Sequence, residues 1–231
     1  MLGGEDWLQD PLMEISKGSS KPRKLKNSSD EKQNNSWWSF HFATRLKLDG
    51  ADHFCRQVLG AASMPHHRGL PLLAHRQLEW YLSAFFFELM SAYDTLLQEL
   101  NIVYAYDLGL KPKDVRWATK KDELQKAELP KELLQYMREE QKKEWFKKVR
   151  IYRNMATHHY LVPISSSEIG WGDEPLDYTS HKVYIHYRQG GHFKNEDVNV
   201  CKEYLKNMVK YIKSVWGKMA QEFQQGVLEG C

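Results

Sequence analysis

The longest amphipathic segment of the chain, residues 72–101, is the feature that most constrains its fold. Its large apolar residues recur every three or four positions, which is the period of a helix with one buried face. Further apolar residues widen that face, so we expect helix neighbours on two sides. The repeat consists of Leu78, Leu82, Phe85, Leu89, Tyr93, Leu96 and Leu100.

Two later segments have the same helical period. Pro130 suits the first turn of a second long helix, which runs into the stretch RIYRNMATHHYLVP at residue 150. Asn195 suits the N-cap of a last helix, with Glu196 and Asp197 near its positive end. The predicted buried residues are Leu134, Met137, Trp145, Val149 and Tyr152 in the second helix, and Cys201, Leu205, Met208, Ile212, Val215, Met219 and Phe223 in the last.

Two segments carry a different pattern. HKVYIHYRQGG alternates Val183, Ile185 and Tyr187 with polar residues, which predicts a hairpin strand ending at the glycines. WWSFHFATRLKL at 37–48 alternates in part and predicts a strand or an extended arm packed on the helices, followed by a short helix in GADHFCRQVLGAAS.

The predicted fold class is therefore mainly all-α. We expect a bundle of long helices with an N-terminal extended arm and a small β-hairpin insertion at about 163–192, before the last helix. A tail at 1–36, nearly without apolar residues over its second half, is predicted to be disordered. Residues 37–225 form a single predicted domain, and 226–231 a C-terminal tail.

Composition narrows the class of protein. The net charge is only +3, so binding to nucleic acid has to be argued from a site. Three widely spaced cysteines without a CxxC pair indicate a reducing compartment. The N-terminus has no secretory signal and no apolar run is long enough to span a bilayer, so we expect a cytoplasmic protein without membrane contact. The histidines do not have chelating spacing, and no nucleotide-binding glycine motif occurs, so we expect no metal and no cofactor.

The stretch at residue 150 holds the candidate site. Arg153 and His158 are separated by four residues near the predicted end of a long helix, with Asn154 next to the arginine. Histidine supplies a base that titrates near neutral pH. Arginine supplies a planar, permanently charged fork that can bind an anionic group and stabilise negative charge developing on it. An ordinary helix end with Arg and His near the last carbonyls is the other interpretation of the same residues.

The sequence RNMATHHY resembles the R-x4-H-x-Y motif of the HEPN family, in the version found in HepT toxins. Arg153, Asn154, His158 and Tyr160 fall on the matching positions. The chain departs from a minimal toxin in its N-terminal arm, its β insertion and the additional His159.

The resemblance implies a helical nucleotide-binding fold and a homodimer in which two motifs face one cleft. It implies that His158 is the general base or acid, that Arg153 holds the phosphate, and that Asn154 orients Arg153 or binds phosphate. Which of His158 and His159 reaches the cleft stays open. An acidic residue on an earlier helix would hold the arginine, with Glu88 preferred over Asp94, and Tyr160 would be the hydroxyl that a partner nucleotidyltransferase modifies.

Two functions follow as hypotheses. One is a metal-independent endoribonuclease in a toxin–antitoxin or defence system, with a nucleotidyltransferase as antitoxin. The other is a non-catalytic HEPN module that binds nucleotide or RNA, or a protein partner, through the same helices. A scaffold in which the motif is accidental is a third.

Overall fold

The computed structural model of the protein describes residues 31–63, 72–104, 129–158, 161–167, 182–189 and 191–228. Within these ranges the chain forms five helices and one three-stranded antiparallel sheet, so the predicted, mainly helical fold class is confirmed. In chain order the elements are α1 (Glu31–Ala62), α2 (Leu72–Tyr104), α3 (Lys131–Lys142), α4 (Glu144–His158), β1 (Ile164–Ser167), β2 (Lys182–Gln189), β3 (His192–Asp197) and α5 (Val200–Leu228).

The fold divides into two compact units. Unit 1 combines the residues up to Leu46 with Ala92–Lys143 and those from Met208 onward. Unit 2 combines Lys47–Ser91 with Glu144–Asn207 and contains α4 and the sheet. Each unit has its own buried apolar residues, among them Trp37, Leu96, Leu100, Leu133, Met137 and Ile212 in unit 1, and Leu78, Leu82, Phe85, Phe86, Phe146, Val149 and Ile185 in unit 2.

The predicted N-terminal arm is wrong, because residues 37–48 belong to the continuous helix α1. The alternation of apolar residues in this stretch is overridden by a longer helical repeat of buried positions. Phe42 and Leu46, which the strand interpretation uses, are instead 54% and 69% exposed. Residues 31–36 of the predicted tail are also helical, while residues 1–30 lie outside the described part of the chain. The buried positions are Trp37, His41, Thr44, Leu48, Ala51, Cys55 and Val58.

The second long helix is confirmed in place but is divided in two. Lys143, between α3 and α4, has an extended backbone with ψ 146°, and its N–H bonds to the carbonyl of Glu140. Leu133 of α3 and Phe146 of α4 are buried, whereas the predicted Leu134 and Trp145 are only half-buried.

The sheet has the order β1-β2-β3, one strand more than the predicted hairpin. Val183, Ile185 and Tyr187 are buried as the alternation predicts. Gly191 adopts φ 84° at the turn, a conformation that favours glycine. After this turn the chain pairs back along β2, with Asn195 opposite His186.

The predicted N-cap at Asn195 is therefore wrong. The strand β3 continues to Asp197, and α5 begins at Val200. The Asp197 carboxylate accepts a hydrogen bond from the backbone N–H of Asn199 at 2.8 Å, which fixes the turn into the helix. Ladder hydrogen bonds outweigh the local capping preference here. The predicted buried residues of α5 from Cys201 to Met219 are confirmed.

Candidate functional site

The last two turns of α4 carry Arg153, Asn154 and His158. The Arg153 guanidinium donates to Oδ1 of the neighbouring Asn154 at 3.4 Å. Arg153 is half-buried and Asn154 is exposed, which leaves the pair accessible to a ligand. Thr157 Oγ1 donates to the carbonyl oxygen of Arg153 at 3.0 Å. This hydrogen bond satisfies a backbone acceptor near the end of the helix. His159 and Tyr160 lie outside the described residues.

The candidate acidic partners of the arginine lie on α2. Glu88 forms an ion pair with Lys47 of α1 at 3.0 Å, and its side chain packs against Gly50, where an added Cβ would lie 3.3 Å from Glu88 Cγ. The carboxylate that the sequence favours as the holder of Arg153 is thus engaged by a lysine. Asp94 is exposed on α2. The role of either acid toward Arg153 stays a prediction.

A polar cluster beneath α4 was not foreseen from the sequence. Glu196 Oε2 accepts hydrogen bonds from Tyr152 at 2.7 Å and from Tyr204 at 2.6 Å. Glu196 Oε1 pairs with Lys148. The four residues, which we call the Glu196 cluster, join α4, β3 and α5 within unit 2. They fix α4 through Tyr152, the residue immediately before Arg153.

The inward position of Glu196 could have been predicted from the turn at Gly190 and Gly191. If Gln189 pairs with His192 across the turn, Glu196 falls opposite Ile185, and residues directly opposite each other share a face of the sheet. Ile185 points inward by the alternation, so Glu196 must point inward too. The prediction that Glu196 belongs to the first turn of the last helix excluded this inward position in a strand.

Burial and contact with Glu196 together set the pKa values of the three donors in the cluster. Burial, followed by the hydrogen bond to Glu196, raises the pKa of the Tyr152 hydroxyl, and the same two causes raise the pKa of Tyr204. For Lys148 burial alone would lower the pKa, but the hydrogen bond and charge of Glu196 raise it. Both tyrosines therefore stay protonated as donors, and Lys148 stays charged. The cluster supports α4, and its three donors do not act as bases near neutral pH.

Comparison with models of known protein families identifies the family of this chain. The family model of the Cthe2314-like HEPN domains matches residues 23–225. The chain belongs to the Cthe2314-like HEPN family. The HEPN match spans both compact units and includes every candidate site residue. The comparisons with curated proteins and with solved structures give no match.

Unit 1 of this HEPN protein holds a second buried polar cluster. Glu99 on α2 and His41 on α1 are both 0% exposed and share a hydrogen bond of 3.0 Å between Oε2 and Nδ1. Trp216 Nε1 of α5 donates to the same carboxylate oxygen at 3.0 Å, and Thr44 Oγ1 bonds to the other. The imidazole stacks on Trp37 at a centroid distance of 5.0 Å. Sequence reasoning missed this cluster, since His41 and Glu99 are far apart along the chain.

The described residues of this HEPN protein offer few other reactive or metal-binding side chains. Burial raises the pKa of the Cys55 thiol to about 11 and that of Cys201 well above its ordinary value, so neither is a thiolate nucleophile. The described ranges contain no group of three or more side chains able to hold a metal ion. Among the helices of those ranges, none has the length together with the apolarity that crossing a bilayer requires.

Proposed function

We propose that this HEPN protein is a metal-independent endoribonuclease that acts in the cytoplasm as a homodimer, in a toxin–antitoxin or related defence system. The observation that carries the proposal is the position of Arg153 and His158 on the last two turns of α4, with Arg153 accessible and bonded to Asn154. Membership of the HEPN family supports it, since nucleotide and RNA chemistry is what the motif implies in that fold.

The proposed reaction uses the substrate's own nucleophile. His158 removes the proton from the ribose 2′-OH, whose oxygen attacks the adjacent phosphorus. The bond from phosphorus to the 5′ oxygen breaks, that oxygen takes up a proton, and the product is a 2′,3′-cyclic phosphate. Arg153 stabilises the charge that develops on the phosphoryl oxygens, with Asn154 orienting its fork.

The spacing within α4 supports the proposed dimer. Residues five positions apart on a helix differ by about 140° around its axis and by about 7.5 Å along it. One helix therefore does not direct both positions to a single side. A second copy facing the first would bring an arginine and a histidine to the same phosphate, and this is the arrangement we propose. Tyr160 is the proposed target of a nucleotidyltransferase antitoxin.

The test is an RNA cleavage assay in the presence of chelator. We expect wild type to produce cyclic phosphate ends, and Arg153→Ala and His158→Ala to lose at least about 100-fold in rate, because each removes a group that acts in the transition state. Arg76→Ala on α2 and His53→Ala on α1 are matched controls, since both residues are exposed and are not part of the motif. His159→Ala decides which histidine acts.

Three other results would reject this function. Purified wild type that binds RNA through Arg153 but cleaves none indicates the non-catalytic HEPN module. Activity that survives in folded Arg153→Ala protein places the chemistry elsewhere. The absence of both RNA binding and RNA cleavage in wild type, as in both variants, indicates a scaffold in which the motif is accidental.

A further inference from the structure

The outer face of α4 is positively charged. Lys147 and Arg150 are exposed there, in line with Asn154. Neither forms an ion pair with a carboxylate of the described ranges. Other lysines near this helix are neutralised, as Lys148 is by Glu196 and Lys143 by Glu140. The positive charge is therefore concentrated on the face that precedes Arg153 along α4.

The β2–β3 hairpin of unit 2 also carries positive charge along most of its length. From Lys182 to Asn195 the sequence contains no aspartate or glutamate. Phe193 is 82% exposed, the most exposed of the large apolar side chains in the described ranges. The guanidinium of Arg188 lies 5.5 Å from the centre of the Phe193 ring, so a cation and an aromatic face are presented together.

Contacts within unit 2 join the hairpin to α4. Gln189 Nε2 donates to Glu144 Oε1 at 3.0 Å, which brings the end of β2 to the first residue of α4. Lys194 Nζ in turn donates to Gln189 Oε1 at 3.2 Å. From Glu144 to Arg153 the helix rises about 14 Å. That length corresponds to about four nucleotides of a stacked strand at about 3.4 Å each.

We propose that these residues bind the single-stranded RNA that flanks the scissile bond. We call them the α4–hairpin surface: Lys147, Arg150, Arg188, Phe193 and Lys194. Phosphates would bind along the cations of α4, and an unpaired base would stack on the exposed face of Phe193. A duplex keeps its bases inside the helix and cannot use Phe193 in this way. The inference rests on the proposed function for the class of ligand, but the surface does not depend on catalysis.

The test measures binding without cleavage. Fluorescence anisotropy with a labelled single-stranded 2′-O-methyl RNA reports affinity, since that RNA lacks the attacking hydroxyl. For the double variant Lys147→Ala/Arg150→Ala we expect the slope of log affinity against log salt to shrink by about 1.4, because each lost phosphate contact removes about 0.7. Lys202→Ala/Lys206→Ala, which removes two exposed lysines of α5 in the same unit, should leave the slope unchanged.

Phe193 tests stacking separately from charge. We expect Phe193→Ala and Phe193→Leu to bind at least about fivefold more weakly, and Phe193→Trp to retain affinity, because stacking needs a ring and not only apolar volume. Equal binding by wild type and Phe193→Leu would overturn the stacking role. A salt slope in Lys147→Ala/Arg150→Ala equal to the control would overturn the phosphate path, and equal affinity for a duplex of the same sequence would overturn the choice of single strands.

These outcomes are independent of the outcome for catalysis. If the surface variants weaken binding while wild type cuts no RNA, the surface stands and the ribonuclease proposal fails. If wild type cuts RNA and the surface variants bind and cut as it does, the ribonuclease proposal stands and the surface fails.

Discussion

Glu196 shows at the residue scale how a single carboxylate can determine the position of a helix. Its two oxygens accept hydrogen bonds from Tyr152 and Tyr204 and pair with Lys148, and all three side chains are largely buried. Buried donors of this kind are costly when they lose their acceptor. Since Tyr152 directly precedes Arg153, the geometry of the proposed phosphate-binding residue depends on an acid more than forty positions away in sequence.

Replacing Glu196 separates its charge from its hydrogen bonding. We expect Glu196→Leu to lower the free energy of unfolding by about 3 kcal/mol, because two buried hydroxyls and a lysine lose their acceptor. Glu196→Gln should cost clearly less, since the amide oxygen still accepts from a tyrosine. Urea unfolding measures both. Equal losses for the two variants would show that the hydrogen bonds contribute little.

At the scale of elements, the hairpin depends on the turn between β2 and β3. Gly191 adopts φ 84°, and a Cβ placed there meets nothing within 4 Å. The cost of a side chain at this position is therefore backbone strain alone. The turn also sets the register that brings Glu196 opposite Ile185.

Gly191→Ala should therefore lower the free energy of unfolding by about 1 kcal/mol through the left-handed strain. Gly191→Asn should cost less, because asparagine tolerates this conformation. Thermal unfolding compares the two variants with wild type. A loss for asparagine as large as that for alanine would mean that something other than φ is responsible.

Helix α1 illustrates how neighbouring elements decide between two local patterns. The stretch from Trp37 to Leu48 fits a strand by alternation, and it fits a helix through Trp37, His41, Thr44 and Leu48. In the folded chain the helical set is buried, with His41 and Thr44 bonded to Glu99 of α2. The alternative set leaves Phe42 and Leu46 in water. Contacts of α1 with its neighbours therefore select the helix.

At the scale of the whole molecule, the pH dependence of stability should reflect Glu99. Burial raises its pKa from the ordinary value of 4.5, while hydrogen bonds from His41, Thr44 and Trp216 act in the opposite direction. The folded chain thus holds the Glu99 proton more tightly than the unfolded chain. This contribution to stability is fully present below about pH 4.5 and is lost as the pH rises through the folded pKa.

Glu99→Gln removes this titration and keeps hydrogen-bonding atoms in place. We expect the free energy of unfolding of wild type, relative to Glu99→Gln, to fall as the pH rises above about 4.5. Urea unfolding of both proteins between pH 4.5 and 8 measures the difference, with Gln98→Glu as a control that adds a half-buried carboxylate one residue away. A relative stability of wild type that rises with pH would contradict the assigned direction.

Sequence patterns were sufficient to predict α2, the buried face of α5, the inward face of β2 and the helical position of Arg153. Each of these is a matter of periodicity or of order along the chain. A run such as Leu78 to Leu100 can bury its apolar face only as a helix, whatever packs against it. The alternation of Val183, Ile185 and Tyr187 likewise fixes one face of a strand before any partner is known.

Packing between distant segments determined the conformation of α1, the break at Lys143, the start of α5 and the partners within both buried polar clusters. His41 meets Glu99, and Tyr152 meets Glu196, only after distant segments have packed together. A buried polar side chain is stable only with a partner, and the identity of that partner is a property of packing. The local sequence contains the apolar period of a helix or strand. Where a segment fits two periods, contacts with residues elsewhere in the chain decide which one is adopted.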